Sequence, residues 1–203
     1  MNKILTLIII FLVVTSCTRD GHYESYYDLK KQHLQVEGYY VKNQKHGTWR
    51  FWYKDGKPEC VETYEYGKLN GLRMYYHENG VLKDSTNYKN DHPIGLSKHW
   101  YESGIVSYIT EYDSDGHMQG DSKTWYVNGQ LHQEGQMKKT RMDGKFIDYY
   151  KNGQIEKIHS YKVGTREDEW IYFNENGDTL KKEYYDNGVL IDSIYFNYSN
   201  NEK

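Results

Sequence analysis

The side chains of this sequence that could do chemistry are nine histidines, two cysteines and a surplus of carboxylates, and their spacing argues against a reaction centre. His22, His33, His46, His77, His92, His99, His117, His132 and His159 share no common offset. None stands at the short, fixed distance from cysteine or acidic partners that a zinc site uses. Asp113-Ser114-Asp115-Gly116 opens like a calcium loop, but Thr124 occupies the twelfth position, where a bidentate glutamate is required. No glycine-rich phosphate loop, nucleophile elbow or isolated Ser/His/Asp arrangement breaks the sequence pattern. The expectation is a protein that is not an enzyme and holds neither cofactor nor metal. The 26 basic and 29 acidic residues are interspersed, without the basic stripe that a phosphate backbone requires, which argues against nucleic acid. Cys60 reads as a small apolar strand residue.

The elements that carry these side chains announce themselves through composition and repetition. There are 23 tyrosines, 18 glycines and only 2 prolines, and alanine, the best helix former, is absent. That combination favours strands joined by glycine turns. Mean hydropathy is −0.98, yet 16% of residues are aromatic, so tyrosine and tryptophan rings supply the burial that aliphatic side chains do not.

Gly56, Gly80, Gly104, Gly129, Gly153 and Gly177 follow one another at intervals of 24, 24, 25, 24 and 24 residues. Three further registers keep the same beat. Gly47, Gly71, Gly95, Gly120 and Gly144, with Asp168 in the sixth place, precede these glycines; Tyr64, Tyr88, Tyr112, Met137, Tyr161 and Tyr185 follow them. Between lie Trp52, Tyr76, Trp100, Trp125, Tyr149 and Phe173, aromatic in every copy. Five of the six turn glycines follow Asp or Asn, as in Asn79-Gly80, and Ser103-Gly104 is the exception; such pairs suit tight two-residue hairpin turns. Each repeat therefore reads as a hairpin, with a polar link such as Glu65 to Gly71 leading to the next. A lone hairpin is marginal, so neighbours must stack. The predicted fold is all-β: an elongated, single-layer, twisted antiparallel sheet of about six 24-residue hairpins over residues 36–198, with a polar tail at 199–203.

The repeated segments Tyr75-Tyr76-His77-Glu78-Asn79-Gly80-Val81-Leu82-Lys83 and Tyr149-Tyr150-Lys151-Asn152-Gly153-Gln154-Ile155-Glu156-Lys157 resemble the MORN repeat variant of bacterial proteins, including those of the YwqK-type antitoxin-like group. The resemblance covers nearly the whole chain after residue 35. It implies an open β array used for protein or lipid contact.

Residues 1–16 combine Lys3, an apolar run from Ile4 to Val14 and small residues, the layout of a secretory signal too short to span a bilayer. The ending Val14-Thr15-Ser16-Cys17 resembles the lipobox of bacterial lipoproteins, which implies removal of 1–16, a lipid on Cys17 and membrane attachment in the cell envelope. Residues 17–35 then read as the lipidated cysteine and a tether. An exported lipoprotein does not fit neutralisation of a cytoplasmic toxin.

With two-residue turns, Trp52, Tyr76, Trp100, Trp125, Tyr149 and Phe173 share one face. Leu82, Val106, Leu131 and Ile155 fall on the other, beside Tyr64 and its equivalents; a bulged turn would exchange the second-strand faces. The first row is the candidate binding groove. Tyr and Trp make large contacts at low entropy cost, so the partner is either an envelope protein docked on a non-enzymatic scaffold or a glycan stacked on the rings.

Overall fold

The computed structural model describes residues 19–197. All of its regular structure is extended. The strands are β1 (Gly21–Tyr26), β2 (Leu34–Val41), β3 (Gln44–Trp52), β4 (Pro58–Glu65), β5 (Lys68–Leu69), β6 (Gly71–Tyr76), β7 (Leu82–Lys89), β8 (His92–Trp100) and β9 (Val106–Tyr112). They continue as β10 (Met118–Trp125), β11 (Leu131–Lys138), β12 (Arg141–Met142), β13 (Gly144–Tyr149), β14 (Ile155–Lys162), β15 (Thr165–Phe173), β16 (Thr179–Asp186) and β17 (Val189–Tyr195). They form one open 17-stranded antiparallel sheet. Pairing follows chain order throughout, and the short β5 and β12 are the first residues of bent strands, since β4 also pairs with β6 and β11 with β13. The sheet begins earlier than the sequence indicates: Gly21–Tyr26, in the stretch read as tether, pairs with β2.

Two kinds of turn alternate. At the Asx-Gly pairs the loop holds three residues. Tyr53 N–H bonds to Lys57 O at 2.9 Å, Gly56 N–H bonds to Tyr53 O at 2.9 Å, and Gly56 has φ of 87°. This is a type I turn closed by a left-handed glycine, which leaves a bulge. The Asx carboxyl or amide oxygen accepts from the N–H two residues on, as in Asn79 to Val81 at 3.0 Å and Asn152 to Gln154 at 2.9 Å. The segments read as links are hairpin turns as well. Lys42-Asn43, Tyr66-Gly67, Asn90-Asp91, Lys139-Thr140, Val163-Gly164 and Asn187-Gly188 have positive φ at both residues, the two-residue type I′ geometry. The exception is Asp113–His117, where Asp113 N–H bonds to His117 O at 2.9 Å around a three-residue loop. That extra residue produces the single interval of 25.

The bulged loops change the faces. Pairing across them puts Tyr76 opposite Leu82, Trp100 opposite Val106, Trp125 opposite Leu131 and Tyr149 opposite Ile155. Directly opposed residues share a face, so these aliphatic residues flank the aromatic row instead of lying behind it. Asp168, in the place of the sixth leading glycine, keeps the same backbone: it takes φ of 58°, in the same left-handed region as Gly144 and Gly120.

The other face is the closed one. Trp49, Cys60, Phe146 and Trp170 are almost fully buried there. Trp49 lies flat on Gly38, and a Cβ at Gly38 would stand 2.2 Å from the indole; Gly135 receives Phe146 in the same way at 2.3 Å. Around Trp49 gather Tyr40 at 4.9 Å and Tyr64 at 6.5 Å, with the Lys45 ammonium 4.7 Å above the indole. Around Trp170 gather His159 at 4.9 Å, Tyr161 and Tyr185 at 5.3 Å, and the Arg166 guanidinium at 4.8 Å. Ring stacking and cation–π contact thus replace an aliphatic core.

Two substitutions separate these effects. Val163 is β-branched at φ of 48°, a conformation that strains such a residue, so Val163→Gly is expected to raise stability by about 1 kcal/mol in urea unfolding. Gly135→Ala forces a methyl into the Phe146 ring and is expected to lower it by about 2 kcal/mol.

Candidate functional site

The structure brings the six predicted ring residues together. Trp52, Tyr76, Trp100, Trp125, Tyr149 and Phe173 are the last residues of β3, β6, β8, β10, β13 and β15, all on one face and all half-buried. Their backbone is clamped from the preceding hairpin. The Tyr53 hydroxyl donates to Tyr76 O at 2.6 Å, His77 Nε2 to Trp100 O at 2.8 Å, and Tyr101 to Trp125 O at 2.6 Å. Tyr126 donates to Tyr149 O at 2.8 Å and Tyr150 to Phe173 O at 2.7 Å. Burial pushes the phenols of Tyr53, Tyr126 and Tyr150 up, so all three remain donors at neutral pH. The Tyr149 phenol itself is pushed up to about 12 by burial and by its bond to Glu134. The residue after each ring therefore fixes the next ring's carbonyl, and the turn glycines Gly56, Gly80, Gly104, Gly129, Gly153 and Gly177 allow the loops that make this reach possible.

The closed face carries a polar network that sequence reasoning missed. Arg73, Ser97 and Ser122 occupy the repeat position that Trp49, Phe146 and Trp170 fill elsewhere. Arg73 Nη2 donates to Asp84 Oδ1 at 3.2 Å, and His99 Nδ1 lies 3.2 Å from Asp84 Oδ2. His99 Nε2 lies 3.3 Å from Ser97 Oγ, which is itself 2.6 Å from Thr86 Oγ1. Asp84, His99 and Ser97 thus have the connectivity of an acyl-transfer triad. Ser97 is only 1% exposed, however, and its hydroxyl is shared with Thr86, so a substrate carbonyl has no approach to it. Above the network lies a cleft of about 310 Å³ lined by Arg73, Tyr75, Lys83, Asp84 and His99. No spacing signal marks this group, because each member sits at an ordinary strand position and only the pairing of β6 with β7 and of β7 with β8 unites them.

A second polar centre is built around the buried Asp148 and His159. Asp148 accepts from Gln133 at 2.7 Å, pairs with Lys157 at 2.7 Å and meets His159 Nε2 at 3.1 Å. Burial by itself raises the Asp148 pKa, but the hydrogen bonds from His159, Lys157 and Gln133 outweigh it and hold the carboxyl well below the usual range. The Cys60 thiol is pushed up to about 12 by burial and by neighbouring Glu62, which makes it unreactive. In the Asp113–His117 loop, Asp113, Asp115 and His117 place ligand atoms within 4.8 Å of one another. The Asp113 carboxylate there already accepts from the Asp115 and His117 N–H groups, both at 2.9 Å, which is the work of closing the loop. The predicted lipidation site, Cys17, lies outside the described residues.

An open sheet of stacked hairpins that presents one recurring ring position defines the molecule as a β-repeat scaffold. The family described as MORN repeat variant matches residues 45–66, 69–90, 118–139 and 142–162, so the chain carries four MORN-variant repeats. The interval between the second and third matches holds Pro93, the buried Ser97 and the atypical Asp113–His117 loop, where the array departs most from its own pattern. No curated protein matches the chain.

Asp148 sets an acid limit. Its folded pKa lies below the unfolded value, so its contribution is complete above about pH 4 and is lost as pH falls toward the folded pKa. Urea midpoints are expected to decline below about pH 4. Asp148→Asn should remove about 2 kcal/mol at pH 7 and flatten that decline; an unchanged acid slope in the variant would assign the decline to other carboxylates.

Proposed function

We propose that the protein is a non-enzymatic interaction scaffold, exported and held on a membrane of the bacterial cell envelope by lipid on Cys17, and that its ring-bearing face docks a protein partner. The observation that carries this reading is the register of the six rings. Consecutive hairpins bring Trp52, Tyr76, Trp100, Trp125, Tyr149 and Phe173 to one half-open face, where two strand spacings separate them by about 10 Å. MORN repeats in general serve as scaffolds for protein or membrane interaction.

The energetics support docking on this face. Half-buried aromatic rings have already lost much of their conformational freedom, so a partner covers them at little further entropic cost, and Trp and Tyr are the residues on which binding energy concentrates. The hydroxyl-to-carbonyl clamps hold the row in place before any partner arrives. The lipobox-like Val14-Thr15-Ser16-Cys17 supports the anchor, and β1 starts only four residues beyond Cys17, which keeps the array near the surface that holds the lipid.

Two measurements test the reading. In pull-downs from envelope extracts with full-length protein, Trp100→Ala and Trp125→Ala are expected to weaken retention of a saturable protein partner by about 2 kcal/mol each, roughly 30-fold. Retention at full strength by variants with lowered stability would assign these rings to packing. Cys17→Ser is expected to move the protein from the membrane to the soluble fraction, and continued membrane partitioning of that variant would sink the anchor.

A further inference from the structure

We propose that the cleft on the closed face over β6–β8 binds one sugar ring of a neutral glycan, through Arg73, Lys83, Asp84 and His99 with Tyr75 beside it. This site lies on the opposite side of the sheet from the ring row and does not depend on the scaffold reading.

Its position is the first argument. The closed face is sealed by rings at both ends, and the equivalent repeat positions here hold polar side chains: Arg73 stands where Trp49, Phe146 and Trp170 stand, and His99 where Phe51 and Tyr172 stand. Taking a guanidinium and a carboxylate out of water costs stability that a ring would not. Local departures from a packing rule of this kind concentrate at functional sites.

The chemistry of the lining narrows the ligand. Arg73 and Lys83 are balanced by Asp84 and by Glu62, which is buried on adjacent β4, so the cleft offers no net charge to hold an ion. What it offers is a donor-only guanidinium and a donor-only ammonium around one small space, beside a carboxylate and an imidazole that hold each other in place. Vicinal hydroxyls, each both donor and acceptor, suit such a set: the Arg73 guanidinium gives only Nη2 to Asp84 and keeps further donors for them, and the exposed Lys83 ammonium adds its own. Tyr75 supplies an apolar wall for the C–H face of the ring. The volume of about 310 Å³ is at the small end of ligand sites, the scale of a single ring.

The groups are also held in place. The Arg73 guanidinium sits 5.1 Å from the Tyr75 ring and 4.5 Å from that of Tyr88, while Asp84 is fixed by Arg73, His99 and Thr86 together. Little reorganisation is left for a ligand to drive. Lys83 alone among the lining residues is exposed.

The test is a titration of full-length protein with glucose, N-acetylglucosamine and inorganic phosphate, following the His99 ring signals by NMR. Saturable shifts are expected with at least one sugar in the millimolar range, with none from phosphate. Lys83→Ala, which alters an exposed side chain and leaves the fold intact, is expected to weaken sugar binding at least 5-fold, while Trp100→Ala on the other face leaves it unchanged. Saturation by phosphate alone, no saturable shift with either sugar, or a Lys83→Ala titration identical to wild type would each overturn the proposal.

Discussion

In a single-layer sheet no second layer covers the backbone, so every strand must find its hydrogen bonds sideways, and continuity from hairpin to hairpin is the constraint on which this structure rests. It is met by alternating two turns. Asx-Gly loops of three residues close one edge, and type I′ turns of two close the other. The turns themselves are stitched together: Gly67 N–H bonds to Lys45 O at 2.8 Å and Gly164 N–H to Met142 O at 2.7 Å. At the opposite edge the Asn79 and Asn128 side chains donate to Glu102 O and Lys151 O in the loops that follow. Stability is then a sum of neighbour terms.

The same alternation sorts side chains between faces. The bulge in each three-residue loop keeps Leu82 and its equivalents beside the aromatic row, which gives that face a continuous, half-open apolar stripe. The closed face, freed from those aliphatic residues, is sealed at its two ends by rings stacked on glycines and on one another, and between them it carries Arg73, Asp84, Ser97 and His99. One beat thus yields two surfaces of different character. The half-open stripe suits a large partner. The charged cleft suits a small polar one.

Much of this was legible in the sequence because it repeats. Six turn glycines, the Asx residues before them and the ring five residues after each leading glycine fix the hairpins, and the single interval of 25 points to the Asp113–His117 loop. The type I′ turns were not legible, because Asn90-Asp91, Lys139-Thr140 and Val163-Gly164 share no residue type; their left-handed backbone is imposed by the strands on either side. Strand β1 was hidden for a related reason. The longer loop at 27–33 takes it off the beat, and its six residues carry no Asx-Gly turn. The Asp84–His99–Ser97 network escaped notice because hydrogen bonds across paired strands leave no trace in linear spacing.

Amide hydrogen exchange resolved by residue tests the continuous ladder most directly. The account predicts that amides paired between hairpins, across β4–β6, β7–β8, β11–β13 and β14–β15, are protected to the same degree as those within the hairpins β3–β4 and β13–β14. Rapid exchange confined to the pairings between hairpins, with protection retained inside each hairpin, would show a string of separate units and contradict it.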